Sequence, residues 1–530
     1  MKYRLLNALL SFLMVLIITH VGIGQITYTK DIAGIVYNKC TSCHRPGEIG
    51  PFPMTSYDEV KGRAGTIKYV VSNRYMPPWK ANFEYQHYLS ENYLTDEEIK
   101  AISDWVDGGM PYGNASEEPP LPIFPDGSSL GKPDLVLSFS QSHVHKGNRR
   151  DEYRYFVLPT GLTEDKVLKA IELRAGNKKI VHHALFFEDT NGKARQFDAK
   201  TPEYGFEGVS GFTNDDVILY NQYPGYAPGQ KPLFFPDGIG QKLSKGSDLV
   251  LQIHYAPTST DQLDSTTVNI FFAKKEEKVE RMVDDEIMLP FHLVTGPWSF
   301  VIFANTKKTF EGRMTILEDR SLMGIFPHMH MLGKSWEVRL EKPNGTKENL
   351  IKIDNWDFNW QSNYYFKKYI VAPKGSVIIA KATYDNTKDN PVNPNNPPKN
   401  VSWGENTTDE MFYLPILSVP YQKGDENIVF DEQTTPTINS GFIAPQIDLT
   451  PNPVNAGELL EIKFSLDRGQ PVNIHVFNNN GKLIRSLRDG SYYARGVNFT
   501  HLSTSGLTPG IYHLRLATIE GQTVKPFIVL

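Results

Sequence analysis

Only two cysteines occur in the 530 residues of this chain, and both belong to the pentapeptide CTSCH, as Cys40 and Cys43 ahead of His44. So few thiols leave no disulfide framework, and every core must be held by packing. Cys-x-x-Cys-His is also the attachment signature of a c-type haem, in which two thiols add to the vinyl groups and the histidine becomes an axial iron ligand. The alternative is a redox dithiol that happens to precede a histidine. RYMPPW downstream favours haem, because Met76 can supply the sixth ligand. His/Met ligation raises the iron potential, which suits an electron carrier rather than an oxygen binder.

Helical signals surround the signature. DIAGIVYNKC spaces its apolar residues helically, and LTDEEIKAISDWVDGGMP opens on Thr95 with Glu98 three positions on and stops at Gly108-Gly109. Residues 26–118 are therefore expected to form a small all-α haem domain. The stretch resembles class I-type c cytochromes, in which a methionine before a proline closes the haem; Met76 matches that role better than Met110.

At the N-terminus, Lys2 and Arg4 precede an apolar run from Leu5 to Ile18, followed by THVGIGQ. That is the order of a secretory signal, here residues 1–25. The run falls short of the ~20 residues needed to span a bilayer, so export is expected rather than anchoring. A formal net charge of −5 without a basic stripe argues against a nucleic-acid partner and leaves room for a small or neutral substrate.

After the linker EEPPLPIFPDGSSLGKP the pattern changes to short strands: DLVLSFS, YRYFVLP, KAIELRA, DLVLQIHYAP, VNIFFAK. Helical periodicity nearly disappears. No repeat of 20 to 50 residues is present, which excludes solenoids and propellers. Two all-β, jelly-roll-like sandwiches over 130–280 and 281–430 fit the strand spacing.

Histidines are used unevenly in this region. His182 and His183 lie in IVHHALFF and His254 in LQIHY, where an imidazole among apolar neighbours needs a partner. Adjacent strand residues point to opposite faces, so His182 and His183 can meet one ion only at a twist, a bulge or a strand end. In PHMHM, His328 and His330 are two apart, hence on one strand face and about 7 Å apart at Cα. Spacing alone leaves the metal open among zinc, iron and copper.

Taken in order, VHHALFF, LQIHY, PHMHMLGKSWEV and TTDEMFYL resemble the copper type II, ascorbate-dependent monooxygenases, the family of peptidylglycine α-hydroxylating and dopamine β-hydroxylating enzymes, over residues 130 to 425. The resemblance implies two copper ions. His182, His183 and His254 match the electron-transfer site, while His328, His330 and Met411 match the oxygen-activating, catalytic site, with Met411 in a strand completing the second sandwich. Imidazoles suit both copper oxidation states, and a thioether favours the reduced one. Gln252 matches a position on the electron path. The implied activity is hydroxylation of an activated C–H bond of a small molecule by O2.

Departures from the family bear on the substrate. Peptide-amidating members carry an arginine where this chain has Phe326, and an asparagine and a tyrosine where it has Tyr413 and Pro415. The carboxylate clamp is missing, so an apolar or aromatic substrate near Phe326 is expected instead of a peptide terminus. The fused haem domain implies an electron order of external donor (ascorbate-like or a redox protein), haem, first copper, second copper. The alternative is a non-catalytic electron-transfer or copper-binding surface protein on the same fold.

Other features carry less. His143 and His145 in SHVHK repeat the two-apart spacing in a charged stretch and read as a solvated strand edge; His87, His292, His475, His501 and His513 receive no role. NTKDNPVNPNNPPKN is a loop by composition, either a lid over the oxygen site or a tolerated surface insertion. From residue 448 to 530, TPNP, NNNGK and GIYHLRL punctuate short strands of a small Ig-like sandwich. This order resembles the C-terminal sorting domains of the type 9 secretion pathway, which implies its machinery as a partner, transit through the periplasm, and a final place on the cell surface or outside.

Overall fold

The computed structural model describes residues 25–122, 124, 127–207, 220–404, 406–430, 447–466, 470–478, 483–493, 496–518 and 521–530. The signal expected over 1–25 lies, but for Gln25, outside them. Among the described residues no helix is long and apolar enough to cross a membrane.

The chain divides into two units, the first comprising, of the described residues, 25–46, 50–78 and 92–122. Its helices are Ala33–Lys39, preceded by a wider turn Tyr28–Ile32, then Tyr57–Lys61, Ala64–Ser72 and Asp96–Asp107. The last starts where the sequence marks it: Glu98 N–H donates to Thr95 Oγ1 at 3.2 Å, and Thr95 N–H donates back to Glu98 Oε2 at 2.8 Å. A reciprocal cap of this kind satisfies two otherwise orphaned N–H groups. Tyr28, Ile32, Val36, Ile67, Ile102 and Trp105 form the core.

Residues 79–91 belong to the second unit although they fall inside the 26–118 stretch. Ala81 and Tyr88 are buried among strands of that unit, and Tyr88 O–H donates to Leu350 O at 2.8 Å. In this second unit, one five-stranded sheet runs Leu135–Ser138, Thr267–Phe272, Lys166–Arg174, Ile239–Leu243, Arg281–Met282. A second runs Phe206–Glu207, Glu152–Pro159, Asp248–Tyr255, Val181–Asp189, Tyr220–Tyr226. They share a core that includes Ile171, Val268 and Ile270 from one sheet and Phe156, Phe186 and Leu251 from the other. Arg281–Met282 still pairs, in parallel, with Ile239–Leu243. The next pair of sheets therefore begins at Asp284, slightly beyond the break read at 280.

That pair comprises Asp284–Met288, Leu414–Pro420, Arg320–Ile325, Tyr364–Ala372 and, facing it, Lys307–Thr315, Val377–Asp385, Gly333–Glu341, Lys347–Ile353. Phe310, Trp336, Ile370, Tyr384 and Leu414 lie in its core. Gly324 is required here by close approach: a Cβ would lie 2.9 Å from Tyr365 Cδ1 and 3.2 Å from Tyr364 O. The register shifts between Leu322 and Gly324, immediately before Phe326.

One helix, Lys193–Asp198, interrupts the β region where no helical period was legible. It is too short to show one. The loop 386–400 is tied down by its own amides: Asn386 Nδ2 donates to Ile302 O at 3.0 Å and Lys399 O at 2.7 Å, and Asn390 Nδ2 to Asp385 O at 2.8 Å. At the C-terminus, sheets of three and four strands enclose Ile462, Val472, Ile474, Leu514 and Phe527.

Candidate metal centres

His182 and His183 sit at the start of Val181–Asp189, antiparallel to Asp248–Tyr255, with His183 opposite His254. The register slips between Val181 and His183, so His182 is the extra residue of a bulge. This irregularity lets two neighbouring side chains turn to one point. The three Nδ1 atoms form a near-equilateral triangle, with sides of 3.2, 3.3 and 3.3 Å. Its centre is about 1.9 Å from each nitrogen (3.3/√3), close to the ~2.0–2.1 Å of a metal–imidazole bond. Three imidazole nitrogens aimed at one point satisfy a cation better than they satisfy one another.

Protonation favours the same use. Burial pushes His182 down to about 4 and His183 well below the usual histidine value, each reinforced by the neighbouring His254. The rings are therefore neutral at pH 7, the form that ligates. His254 Nε2–H donates to Asp151 Oδ1 at 2.7 Å, leaving its Nδ1 lone pair for an ion, and the Tyr153 ring stacks on it at 4.3 Å and 7°. A carboxylate behind a ligating imidazole fixes its tautomer and orientation.

His328 and His330 lie in the link between Arg320–Ile325 and Gly333–Glu341. They are not on a regular strand, contrary to the alternation argument: His328 makes an isolated bridge to Tyr413, and His330 has no ladder partner. Their rings are nonetheless 5.1 Å apart at 87°. Both Nδ1 atoms are engaged, His328 with Gln361 Oε1 at 2.5 Å and His330 with Asp409 O at 3.1 Å, so both Nε2 atoms remain for an ion. Burial pushes His328 down to about 3 and His330 to about 4.

Met411 precedes the strand Leu414–Pro420 rather than lying within one. It is buried, and its carbonyl accepts from Tyr384 O–H at 2.8 Å. Glu410, beside it, is fully buried and accepts backbone N–H bonds from His330 at 2.9 Å, Leu332 at 2.6 Å and Met411 at 3.2 Å. One carboxyl thus ties the His-x-His link to the segment that carries the thioether. Burial pushes Glu410 up to about 8 despite those backbone bonds. Sequence reading passed over it; the signal was an acidic residue directly beside a candidate ligand in an apolar run.

His183, His328, His330 and Met411 line one cavity, together with Tyr153 and Gln252. Gln252 Nε2 donates to Tyr155 Oη at 2.5 Å. Phe358 lies between the two sets, its ring 6.0 Å from His254 and 5.8 Å from His330. No described residue of the loop 386–400 lines this cavity.

His143 and His145 are a correction. They are 6% and 1% exposed, not a solvated edge. Glu152 meets His143 Nε2 at 3.0 Å and His145 Nδ1 at 2.7 Å, while Ala256 O takes His145 Nε2 at 3.0 Å. Burial pushes Glu152 up, but the hydrogen bonds of the two histidines leave it below its usual value. The contacts with Glu152, and the Tyr255 ring stacked on His145 at 5.4 Å and 21°, hold this charged-looking stretch in the interior.

In the first unit, Cys40 caps Ala33–Lys39 and His44 N–H donates to Cys40 O at 2.9 Å, which puts the signature on one turn. The two cysteines are not joined in a disulfide, and burial pushes Cys40 up to about 12. His44 Nδ1 meets Phe52 O at 3.0 Å, leaving Nε2 for an axial ligand position. Met76 is half-buried in the turn after Ala64–Ser72, and Met110 has left-handed backbone, φ 58°.

Residues 449–530 match the model of the secretion system C-terminal sorting domain. Over 272 residues the chain is 21% identical to the Homo sapiens protein named "Putative DBH-like monooxygenase protein 2", covering 48% of this chain and 51% of that one. The chain thus spans about half the length of this curated relative. Among solved structures, a Faecalibacterium prausnitzii β-glucuronidase is similar at 11% identity and a TM-score of 0.13, over 43% of this chain and 38% of that one. The infectious bursal disease virus VP2 subviral particle is similar at 9% and 0.16, over 56% and 75%. Likenesses at such scores carry no argument. The sorting domain means that the protein is exported through type 9 secretion to the cell surface or the extracellular space.

Proposed function

We propose that this exported chain is a copper-dependent monooxygenase that hydroxylates an activated C–H bond with O2, fed with electrons through a covalent c-type haem. On this reading residues 26–118 are the cytochrome-like domain, 130–280 and 281–430 the two jelly-roll-like sandwiches, and 448–530 the sorting sandwich. The observation that carries it is two unlike donor sets opening on one cavity: the triad His182, His183 and His254, represented there by His183, and the set His328, His330 and Met411. The similarity to a monooxygenase-named protein over about half the chain supports it.

The donor chemistry fits copper. Held by these sets, copper would supply one-electron steps and reactivity toward dioxygen, with the thioether favouring its reduced form. The overall balance is RH + O2 + 2 e⁻ + 2 H⁺ giving ROH + H2O. The protein's part is to keep five imidazoles ready and aimed. Burial holds His182, His183, His328 and His330 unprotonated, and Asp151, Gln361 and the Asp409 carbonyl fix ring orientation from behind. Gln252 lines the shared cavity, in keeping with a place on the electron path. For the haem, the thiols of Cys40 and Cys43, which form no disulfide, and Nε2 of His44 are a matching donor set, with Met76 proposed as the sixth ligand. Joining haem and copper domains in one chain supports electron flow from an external ascorbate-like or protein donor to haem, then to the histidine triad, then to the methionine-bearing site.

The test is metal analysis of the full chain together with turnover in ¹⁸O2. Two coppers and one haem per chain, and a product carrying one labelled oxygen, are expected. Met411→Ala should abolish turnover while the haem spectrum is unchanged. Copper binding without oxygen consumption for any substrate would instead support the non-catalytic electron-transfer or copper-binding alternative.

A further inference from the structure

We propose that the segment Trp79–Glu91 is a strap that fixes the ring of His328 from outside the site, with Lys80 as a positioning residue. This rests on His328 being a metal ligand and not on the reaction performed there. The strap crosses from one sheet of the second sandwich to the other. Ala81 bridges Ile353 at the end of Lys347–Ile353, and Tyr88 bridges Phe366 in Tyr364–Ala372. Among the described residues these two strands are the outer members of their sheets, so the strap covers part of each edge. Aromatic rings seat it: Trp79 lies edge-on to Tyr364 at 5.3 Å, and Tyr88 packs on Tyr364 at 5.2 Å and on Phe366 at 5.9 Å.

The link between those same two strands, residues 354–363, carries Gln361, and the strap grips it at two points. Asn82 Nδ2 donates to Asp354 Oδ2 at 2.9 Å, and Lys80 Nζ pairs with Asp357 Oδ2 at 3.2 Å. The Lys80 side chain is 10% exposed and that of Asp357 33%, which shields this pair more than one in open water. The other oxygen of Asp357 accepts from Asn359 N–H at 3.1 Å, and its carbonyl accepts from Trp360 N–H at 2.9 Å, which winds the link into a turn. At the end of that turn Gln361 Nε2 donates to Phe358 O at 2.8 Å. The amide is thereby oriented with Oε1 toward His328 Nδ1, at 2.5 Å. From Lys80 through Asp357, the turn and Gln361 to His328, each contact fixes the next. The same turn carries Phe358, whose ring stands between His254 and His330. Groups behind a ligating imidazole set its orientation and raise metal affinity. Lys80 acts from further out, so its effect is smaller than that of a direct partner.

The experiment compares Lys80→Met, which keeps the aliphatic stem and removes the charge, with Lys80→Arg, which keeps the charge, both in the full-length chain. In the metal-free protein, hydrogen exchange at the Asn359 and Trp360 amides should be about fivefold faster in Lys80→Met and unchanged in Lys80→Arg, with the rest of the sandwich as in the unsubstituted protein. Copper(II) is then titrated against a chelator and followed by electron paramagnetic resonance. Lys80→Met should bind about fivefold more weakly at the methionine-bearing site, with altered nitrogen hyperfine coupling, and Lys80→Arg should retain both the affinity and the coupling. Unchanged exchange in Lys80→Met, faster exchange spread evenly over the sandwich, or a loss of copper affinity equal in Lys80→Arg would each overturn the inference. Fewer than two coppers in the unsubstituted chain would remove the copper reading alone, because the exchange measurement on metal-free protein still decides whether the strap holds the turn.

Discussion

Asp151→Asn tests the histidine triad without touching a ligand. Asp151 Oδ1 accepts from His254 Nε2–H at 2.7 Å, Tyr153 stacks on that ring at 4.3 Å, and its Nδ1 faces His182 and His183. Asparagine keeps an acceptor of the same shape, so tautomer and geometry survive and only the negative charge is lost. Partners of this kind contribute 10–100-fold to metal affinity in general. Here the Asp151 side chain is 30% exposed, so water screens its charge and the asparagine variant should fall at the lower end, about tenfold or ~1.4 kcal/mol. Asp151→Ala loses the tautomer lock as well and should approach a hundredfold. The assay is competition of the full chain with a copper chelator, resolved by electron paramagnetic resonance into the all-histidine and methionine-bearing signals. Only the all-histidine signal should weaken. Unchanged affinity in both variants, or equal loss at both sites, would refute the argument that Asp151 orients His254.

Other outcomes follow from buried carboxyls. Burial, with Asp284 and Glu286 alongside, pushes Asp285 up to about 7, and its Oδ1 has no hydrogen-bond partner. Because the folded value exceeds the unfolded one of ~3.9, its contribution is intact below pH ~4, falls as pH rises to about 7, and is then flat. Asp285→Asn should therefore add up to ~4 kcal/mol at pH 8 and little at pH 4, read by urea denaturation; equal gains at both would contradict it. Glu410→Ala strands three backbone N–H groups and should cost ~3 kcal/mol or more, with loss of copper from the methionine-bearing site ahead of the triad, seen by the same resonance assay. Glu152→Gln removes the carboxylate that both buried histidines contact and should destabilise by ~2 kcal/mol while copper stoichiometry stays unchanged; a lost copper would show that the His143 and His145 pair is not merely structural.

Local chemistry was readable wherever the deciding residues are neighbours in the chain. The Thr95–Glu98 cap is one such case, found as written at the head of Asp96–Asp107. The need for a twist, a bulge or a strand end at His182-His183 is another, since strand alternation turns adjacent residues to opposite faces, and the structure has the bulge. The same alternation argument was misplaced at His328 and His330, which converge through a link between strands. SHVHK misled because its charge pattern looks solvated, while the carboxylate that neutralises it, Glu152, arrives on another strand. The loop 386–400 is polar by composition, and its amides bond its own backbone and a nearby strand, partners that composition does not name.

By itself the sequence determined which side chains are available: a thiol pair beside a histidine, five imidazoles in three short motifs, one thioether, and a terminal address for export. These depend on residue identity at short spacing. Which nitrogen of each ring faces inward, and what stands behind it, was decided only by the tertiary structure. Asp151 is 103 residues from His254, Gln361 33 from His328 and Asp409 79 from His330. Strand register and core packing bring such partners together, and both are set by contacts across the whole fold rather than by any local stretch of chain.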